Sequence, residues 1–197
     1  MVVRHRTPSQ EVEPAILAAA EALLDEGGPE ALSVRRIAER ACVAPMGLYS
    51  RFDGKQGVVD ALFTEGFAAL ASTIRSTREN PDAVGAFRDA GLAYRALAKA
   101  HPARYQVMFL RAVPGFEPSE PARLAAGDAF LALVEALQRG IDAGGFSRGD
   151  AAELAQQVWA TCHGWVALEL CGINFVEDLD AGYGRLLDLV LRGLSTG

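Results

Sequence analysis

Arginine and lysine side chains concentrate in Leu32–Lys55, interleaved with two short apolar repeats. Guanidinium and ammonium groups pair with phosphate oxygens, so such a cluster is typical of a surface that contacts a nucleic-acid backbone. Ile37 and Ala38 lie on one face of a short helix, and Leu48 and Phe52 form a second apolar pair one turn apart. This length and spacing predict a helix-turn-helix whose second helix enters the major groove of DNA.

The formal net charge of −6 would by itself argue against a nucleic-acid partner. The charges are unevenly distributed, however. Residues 33–55 contain five basic and two acidic side chains, whereas residues 11–32 contain six acidic side chains and no basic one. Arg4 and Arg6 precede both segments in a short basic arm. Positive charge is therefore concentrated in the arm and the two-helix motif, where phosphate contact requires it.

The composition indicates a folded helical protein. Half of the residues are hydrophobic, mostly alanine and leucine, and only 22% are charged, which favours helix and argues against disorder. No uninterrupted apolar run approaches the roughly 18 residues of a membrane span, and no signal-peptide pattern is present. Three cysteines make an odd number without paired spacing. We therefore expect a soluble protein of the reducing cytoplasm, with no membrane partner.

Helical periodicity continues along the chain and is interrupted at glycine and proline, as at Gly27-Gly28-Pro29. Ser33 is placed to cap the first helix of the motif, since its hydroxyl can accept a backbone N–H of the open turn. The predicted helices span residues 11–26, 33–40, 44–51, 55 to about 80, 83–100, 102–110, 119–143, 150–171 and 177–194. We predict an all-α protein with a three-helix N-terminal head that contains the helix-turn-helix, a linking helix, and a larger C-terminal helical body for effector binding and dimerisation. Their predicted bounds are 1–54 (with the basic arm at 1–10), 55–80 and 81–197.

The last two predicted helices have apolar surfaces wider than a single core requires. In the helix at 150–171, Trp159 and Val166 share one face, and Val158 and Trp165 lie beside it. The final helix is rich in leucine and carries few charges. Such helices can bury their apolar surplus against their copies in a two-fold four-helix bundle, so we predict a homodimer. That dimer would place two recognition helices about 34–36 Å apart on a near-palindromic operator.

The segment Ile16–Leu62 resembles the N-terminal DNA-binding domain of TetR-type transcriptional regulators. The matching features are the S-V-R-R-I-A helix from Ser33, the V-A-P-M-G-L-Y-S-R-F run from Val43, and Lys55 shortly after. The body resembles, more loosely, the ligand-binding domain of a subgroup named for a Trp-His-Gly (WHG) signature. The residues that carry this second resemblance are His101-Pro102, Tyr105, Met108-Phe109, Trp159, His163-Gly164 and Leu168-Glu169-Leu170.

The resemblance implies a set of DNA contacts. In such regulators the second motif helix lies in the major groove, so Ala44–Gly47 would face bases and Tyr49 would bond to a phosphate; the alternative for Tyr49 is a place in the core of the head. Lys55 would meet an anion at a helix N-terminus, and the guanidinium of Arg35 can pair with guanine O6 and N7. The DNA-binding residues expected on this basis are Ser33, Arg35, Arg36, Ala44, Pro45, Met46, Gly47, Tyr49, Arg51 and Lys55, with Arg4 and Arg6 following the backbone.

Two positions depart from the family pattern. Ala44–Gly47 has no side-chain donor or acceptor where most relatives carry at least one polar residue. Direct base contacts would therefore rest on thymine methyl groups and Arg35, supplemented by DNA shape. Cys42 occupies the turn position that usually holds a glycine in the left-handed conformation, which costs a cysteine steric energy. A redox-sensing role for this thiol stays open.

The resemblance also implies a small, largely apolar effector bound by the body. His163 lies one turn beyond Trp159 on the same face and could hydrogen-bond to such a molecule. Each candidate aromatic side chain could equally be part of the core. The candidates are Tyr94, Tyr105, Met108, Phe109, Phe130, Trp159 and His163. The expected mechanism is repression, relieved when the effector favours a state of the dimer that does not fit the operator.

Patterns typical of enzymes are missing from the sequence. There is no Gly-rich phosphate loop, no G-x-S-x-G motif and no paired carboxylates in an apolar setting, and Cys162 and Cys171 face opposite sides of one helix. The histidines have no metal-ligand spacing, so we predict no catalytic site, metal or cofactor. The alternative function is a helical effector-binding or protein-interaction module with little DNA affinity, which the donor-free Ala44–Gly47 and the acidic total favour. Salt-sensitive binding to double-stranded DNA separates the two functions.

Overall fold

The computed structural model describes residues Ser9–Ser195, which form helices joined by short turns, with no β-strand among them. This confirms the predicted all-α class. Most of the predicted basic arm, including Arg4 and Arg6, lies outside the described residues. The α-helices are α1 (Val12–Gly27), α2 (Val34–Arg40), α3 (Pro45–Phe52), α4 (Lys55–Ser76), α5 (Ala83–Ala100), α6 (Pro102–Phe109), α7 (Glu120–Asp142), α8 (Ala151–Leu170) and α9 (Leu179–Leu194). Short 3-10 helices occupy Ser9–Glu11, Pro29–Ala31 and Thr77–Glu79.

The ends of the first helices coincide with stop and cap residues in the sequence. α1 ends at Gly27, and Gly28 takes φ +64°, a conformation that glycine adopts without steric cost. The hydroxyl of Ser33 accepts the N–H of Arg36 at 3.2 Å, which confirms Ser33 as the cap of α2. Pro45 begins α3, where its missing N–H costs no helical hydrogen bond.

The predicted linking helix, 55 to about 80, consists of α4, which ends at Ser76, and a 3-10 turn that continues it to Glu79. The hydroxyls of Ser76 and Thr77 donate to the carbonyl oxygens of Thr73 and Ile74, each at 2.8 Å. Such side-chain donors compete with backbone N–H groups for the carbonyls of the last turn, which favours the tighter 3-10 geometry.

The segment Lys55–Glu79 is long and apolar enough, by length and composition alone, to cross a membrane. Half of its most apolar stretch of 18 residues is buried inside the protein. The core helix of a globular protein meets the same criteria of length and composition.

The described chain packs into two compact units. The first unit runs to Phe67 and is completed by His101–Ala125, while the second comprises Ala68–Ala100 and the chain from Ala126 onward. The predicted division at residues 54 and 80 concerns roles along the chain rather than packing, and it stays a prediction. Within the first unit α1 packs against α2 and α6, and α2 packs against α3. The core of this unit includes Ile16, Leu23, Ile37, Leu48, Val58 and Leu62.

The acidic side of α1 holds α6 in place within the first unit. One oxygen of Glu21 lies 2.8 Å from Nδ1 of His101, and the other accepts a hydrogen bond from Nη2 of Arg104 at 2.7 Å. Burial raises the pKa of Asp25, although its carboxylate accepts the backbone N–H of Ala103 in the first turn of α6. The acids that the sequence places opposite the apolar stripe of α1 thus anchor another helix instead of facing only solvent.

An ion-pair network joins three helices of the second unit, where α5 packs against α8 and α9. Arg95 of α5 is 8% exposed and donates through Nε and Nη2 to Glu169 of α8, both at 2.6 Å, and through Nη1 to Asp180 of α9 at 2.7 Å. Its guanidinium carbon lies 5.3 Å from the ring centre of Tyr183. Burial alone would raise the pKa of Glu169, but Arg95 and Lys99 together hold that pKa below its ordinary value.

Candidate nucleic-acid interface

The turn between α2 and α3 takes a defined left-handed shape at Cys42. The φ of Cys42 is +55°, and the N–H groups of Cys42 and Val43 donate to the carbonyl oxygens of Glu39 and Ala38 at 3.3 and 3.0 Å. These two bonds close α2 in the way that a glycine usually allows. The left-handed position is therefore confirmed with a cysteine in it, at a steric cost of roughly 1 kcal/mol.

The start of α3 exposes apolar side chains and has no side-chain donor. Ala44, Pro45 and Met46 are all exposed, and Met46 is 74% exposed. Tyr49 is 52% exposed and lies outside the core of the head, which Leu48 fills instead. Tyr49 is therefore an exposed residue on the same helix as the predicted base-facing residues, as a phosphate contact requires.

The remaining predicted contacts lie around α3. Arg35 and Arg36 are exposed in the first turn of α2, Ser33 is half-buried by its capping role, and Gly47 is half-buried. Lys55 is half-buried as the first residue of α4, which confirms its predicted place at a helix N-terminus. The structure thus brings Ser33, Arg35, Arg36 and the α3 residues into one helix-turn-helix, while their contact with DNA stays a prediction.

Two arginines of the motif are paired with acids of α1. Arg40 donates to both oxygens of Glu26 at 2.7 and 2.6 Å, a two-bond arrangement that neutralises its charge locally. Nε of Arg51 lies 3.7 Å from a carboxylate oxygen of Glu13. The predicted phosphate contact of Arg51 therefore has to compete with Glu13, and Arg40 adds less positive charge to the interface than the sequence suggests.

Substituting Glu13 with glutamine is expected to strengthen binding to random DNA at low salt. The substitution keeps the shape of the side chain and removes the charge that holds Arg51, which would leave the guanidinium available to one more phosphate per protomer. The slope of log affinity against log salt should then steepen by roughly one unit per protomer. Fluorescence anisotropy over a salt series measures this slope. Glu153→Gln removes the same charge from α8, so an equal effect of both variants would contradict a specific competition for Arg51.

A close approach between α3 and α4, which the sequence analysis did not identify, positions the candidate interface. A Cβ added to Gly57 would lie 1.6 Å from the carbonyl oxygen of Phe52, the last residue of α3. A Cβ added to Gly54, where φ is +97°, would lie 3.3 Å from the ring of Tyr49. Glycine in the first turn of a long helix is unfavourable by roughly 1 kcal/mol relative to alanine. A glycine that stands in a helix despite this cost is the sequence signal that could have identified Gly57 as a site of close backbone approach.

The predicted effector residues fall into two groups, one in each compact unit. In the second unit the Tyr94 hydroxyl lies 3.3 Å from Nδ1 of His163. The ring of Trp159 lies 6.0 Å from the ring of His163 and 6.3 Å from that of Phe130. Burial lowers the pKa of His163 below its ordinary value, which favours the neutral imidazole at neutral pH.

The other predicted effector residues lie in the first unit. The ring of Phe109 lies 4.8 Å from that of Tyr105 and 5.1 Å from that of Phe67. Met108 packs so closely on α4 that a Cβ added to Gly66 would lie 2.4 Å from its sulfur. Both groups are packed side-chain clusters, and effector binding by their members stays a prediction.

A left-handed turn between two short helices, an exposed second helix and flanking basic side chains define a helix-turn-helix DNA-binding protein. The family model described as bacterial regulatory proteins of the tetR family matches residues 16–62. A second model, described as a tetracyclin repressor-like C-terminal domain, matches residues 87–190, more than half of the chain. The chain belongs to the TetR family of transcriptional regulators. This confirms the predicted family; the predicted WHG subgroup is not tested by either match.

The chain is also similar to individual proteins of known sequence or structure. The chain is 26% identical to an uncharacterised helix-turn-helix-type transcriptional regulator of Mycobacterium tuberculosis, over 94% of this chain and 81% of the relative. It is 32% identical to the class C tetracycline repressor protein of Escherichia coli, over 61% of this chain and 58% of that protein. A solved structure of a Rhodococcus protein of unknown function is 26% identical and superposes over the full length of both chains with a TM-score of 0.83.

Proposed function

We propose that the protein represses transcription as a homodimer on a near-palindromic operator and is released by a small, largely apolar effector. The proposal rests above all on α3, whose exposed face is held by the left-handed turn at Cys42 and by buried Leu48. A recognition helix mounted in this way suits the major groove. Repression is supported by the likeness to the tetracycline repressor. The three cysteines form no disulfide, which fits the cytoplasm.

The proposed contacts divide into two chemical types. Arg35, exposed beside α3, would donate two hydrogen bonds to a guanine, while the apolar face at Ala44–Gly47 would contact thymine methyl groups. Tyr49 and Lys55 would bind phosphates, together with Arg36 and the competing Arg51, and would fix the position of α3 along the groove. Because the base-facing stretch has no side-chain donor, each half-site supplies modest specificity and operator binding depends on the dimer.

The proposed dimer forms through α8 and α9 in a four-helix bundle. Leu168 on α8 and Leu189 on α9 are both exposed in the single chain. Ala160 and Gly164 lie on the same exposed side of α8, where small residues allow close helix packing. Exposed leucines beside small residues support a helix–helix contact with a second copy.

The proposed effector site in the second unit centres on His163 and Trp159. The neutral imidazole of His163, near the hydroxyl of Tyr94, offers a polar group within an otherwise aromatic cluster that also contains Phe130. Such a combination suits a ligand that is mostly apolar and has one hydrogen-bonding group. The effect of this ligand on operator binding is limited by the difference between its affinities for the two states of the dimer, the one that fits the operator and the one that does not.

Replacing Arg35 with alanine is expected to weaken binding to operator DNA roughly 10- to 100-fold, because one bidentate guanine contact is worth about 1–3 kcal/mol. The measurement is fluorescence anisotropy with the DNA that flanks the protein's own gene, across roughly 50–200 mM salt. Discrimination against a changed guanine should be lost along with affinity. Arg148→Ala, which removes the same charge from the exposed turn before α8, serves as the matched control.

Equal affinities for the Arg35 and Arg148 variants would remove Arg35 from the base-contacting set. Binding of wild type to neither this fragment nor random DNA at low salt would contradict the repressor proposal as a whole. That result would favour the alternative of an effector-binding or protein-interaction module with little DNA affinity.

A further inference from the structure

A carboxylate of α4 holds the residue that precedes α7. One oxygen of Asp60 accepts the backbone N–H of Ser119 at 2.8 Å, and the other accepts the Ser119 hydroxyl at 2.6 Å. The hydroxyl oxygen of Ser119 in turn accepts the N–H of Ala122 in the first turn of α7 at 3.3 Å. Asp60 and Ser119 both belong to the first compact unit, and both are half-buried. We call these two residues the Asp60–Ser119 pair.

The two hydrogen bonds of the Asp60–Ser119 pair restrain direction as well as distance. A hydrogen bond weakens steeply when its donor and acceptor lose alignment, so the pair resists both sliding of α4 and rotation of α4 about its own axis. The neighbouring contact between Phe63 and Phe116, whose ring centres are 5.9 Å apart, is apolar and much less directional. An ionised acceptor also makes hydrogen bonds roughly twice as strong as those between neutral groups. Asp60 therefore fixes the orientation of α4 in a way that the apolar contact does not.

Asp60 lies close to the predicted DNA contacts. It is one turn beyond Gly57, where α4 approaches the carbonyl group at the end of α3, and it lines the same groove as Tyr49. Lys55, a predicted phosphate contact, begins the same helix. Because α3 and the first turn of α4 meet at closely packed backbone atoms, an orientation of α4 that is set at Asp60 also determines where Tyr49 and Lys55 lie.

We propose that Asp60 is a positioning residue for operator binding, which holds α4 at the orientation in which Tyr49 and Lys55 reach their phosphates together. The inference rests on the proposed operator binding and adds a residue that acts through Ser119 rather than through DNA. Charge alone predicts the opposite effect of Asp60. A carboxylate near the phosphates repels them, so its neutralisation would tighten DNA binding if Asp60 had no positioning role.

Substituting Asp60 with asparagine is expected to weaken operator binding about 10-fold, because the amide offers one acceptor oxygen where the pair uses two. Glu65→Gln removes the same charge from the same helix and groove, and should bind at least as tightly as wild type. Ser119→Ala removes the donor hydroxyl without changing the charge and should also weaken binding, whereas Ser119→Thr keeps the hydroxyl and should bind like wild type. Fluorescence anisotropy with the DNA that flanks the protein's own gene measures these affinities, at a temperature where circular dichroism shows every variant folded.

The Asp60–Ser119 pair itself is followed by hydrogen exchange at the Ser119 amide. If the intact pair favours operator binding, bound operator must stabilise the pair to the same extent, so this amide should exchange more slowly in the complex. Exchange that the operator leaves unchanged would contradict the inference.

Two further results would overturn the inference and leave the repressor proposal standing. The first is a lower unfolding midpoint of Asp60→Asn and Ser119→Ala with unchanged operator affinity, which would assign the pair to stability alone. The second is tighter operator binding by Asp60→Asn, equal to that of Glu65→Gln, which would show that only the charge matters. Wild type that binds neither the flanking fragment nor random DNA would overturn the repressor proposal and the inference together.

Discussion

Replacing Gly57 with alanine is expected to reduce operator binding to the level of non-specific DNA binding, which is typically about a thousandfold weaker or more. The new Cβ would lie 1.6 Å from the carbonyl oxygen and 2.6 Å from the carbonyl carbon of Phe52. These are backbone atoms at the end of α3, so the overlap cannot be relieved by rotating a side chain. α3 must therefore shift relative to α4. Tyr49 and Lys55 lie on either side of this junction, so they can no longer both contact their predicted phosphates.

Operator binding is measured by fluorescence anisotropy, and thermal unfolding is followed in parallel. The second measurement is needed because overpacking also lowers the free energy of unfolding by about 1–3 kcal/mol. Gly127→Ala in α7 is the matched control, because a Cβ there meets no atom within 4 Å. That variant should bind normally and gain roughly 0.5–1 kcal/mol of stability from helix propensity. A folded Gly57→Ala protein that bound operator as tightly as the Gly127 variant would contradict the positioning role of Gly57.

Replacing Arg95 with methionine is expected to lower the free energy of unfolding by about 3–5 kcal/mol, the usual cost of removing one partner of a buried ion pair. Methionine keeps the apolar stem of the side chain but leaves the carboxylate of Glu169 buried, with only the ammonium of Lys99 nearby at 3.4 Å. Urea unfolding measures the loss. Arg88→Met on the same helix breaks a half-exposed pair with Asp188 and should cost no more than about 1 kcal/mol. Equal costs for the two variants would contradict the importance of burial at Arg95.

The same network gives wild-type stability a defined pH dependence. Arg95 and Lys99 hold the pKa of Asp180 below its ordinary 3.8, and together they outweigh burial and hold that of Glu169 below its ordinary 4.5. The stability that these carboxylates contribute is therefore complete above their ordinary pKa values and is lost as the pH falls through the lower values of the folded state. The difference in the free energy of unfolding between wild type and Arg95→Met should accordingly become smaller as the pH is lowered below 4.5.

Much of the helix-turn-helix could be predicted from the sequence because its signals are local. Ser33 caps α2, and Gly28 ends α1 with a positive φ, since a capping hydroxyl and a glycine act on neighbouring backbone atoms. The left-handed Cys42 and the N-terminal place of Lys55 followed from the family motif. The change from α-helix to 3-10 helix after Ser76 was not predicted, although its cause, the hydroxyls of Ser76 and Thr77, is also local.

The charged side chains were harder to assign because their partners lie far along the chain. The sequence placed the acids of α1 opposite its apolar stripe, but Glu21 pairs with His101 and Arg104, about 80 residues away. Glu13 lies next to Arg51, a predicted phosphate contact, and Glu26 pairs with Arg40, which belongs to the basic segment at residues 33–55. Which face of α1 meets which helix depends on packing, and periodicity alone does not specify it.

The sequence by itself determined the helical class, most helix boundaries and the family, because caps, breakers and apolar spacing act within a few residues. Only the tertiary structure decided that Gly57 meets the end of α3, that Arg95 joins Glu169 and Asp180, and that the predicted effector residues divide between two units. The partners of Arg95 lie 74 and 85 positions away. Contacts at such separations depend on how the helices pack on one another, a property of the assembled core that no short segment contains.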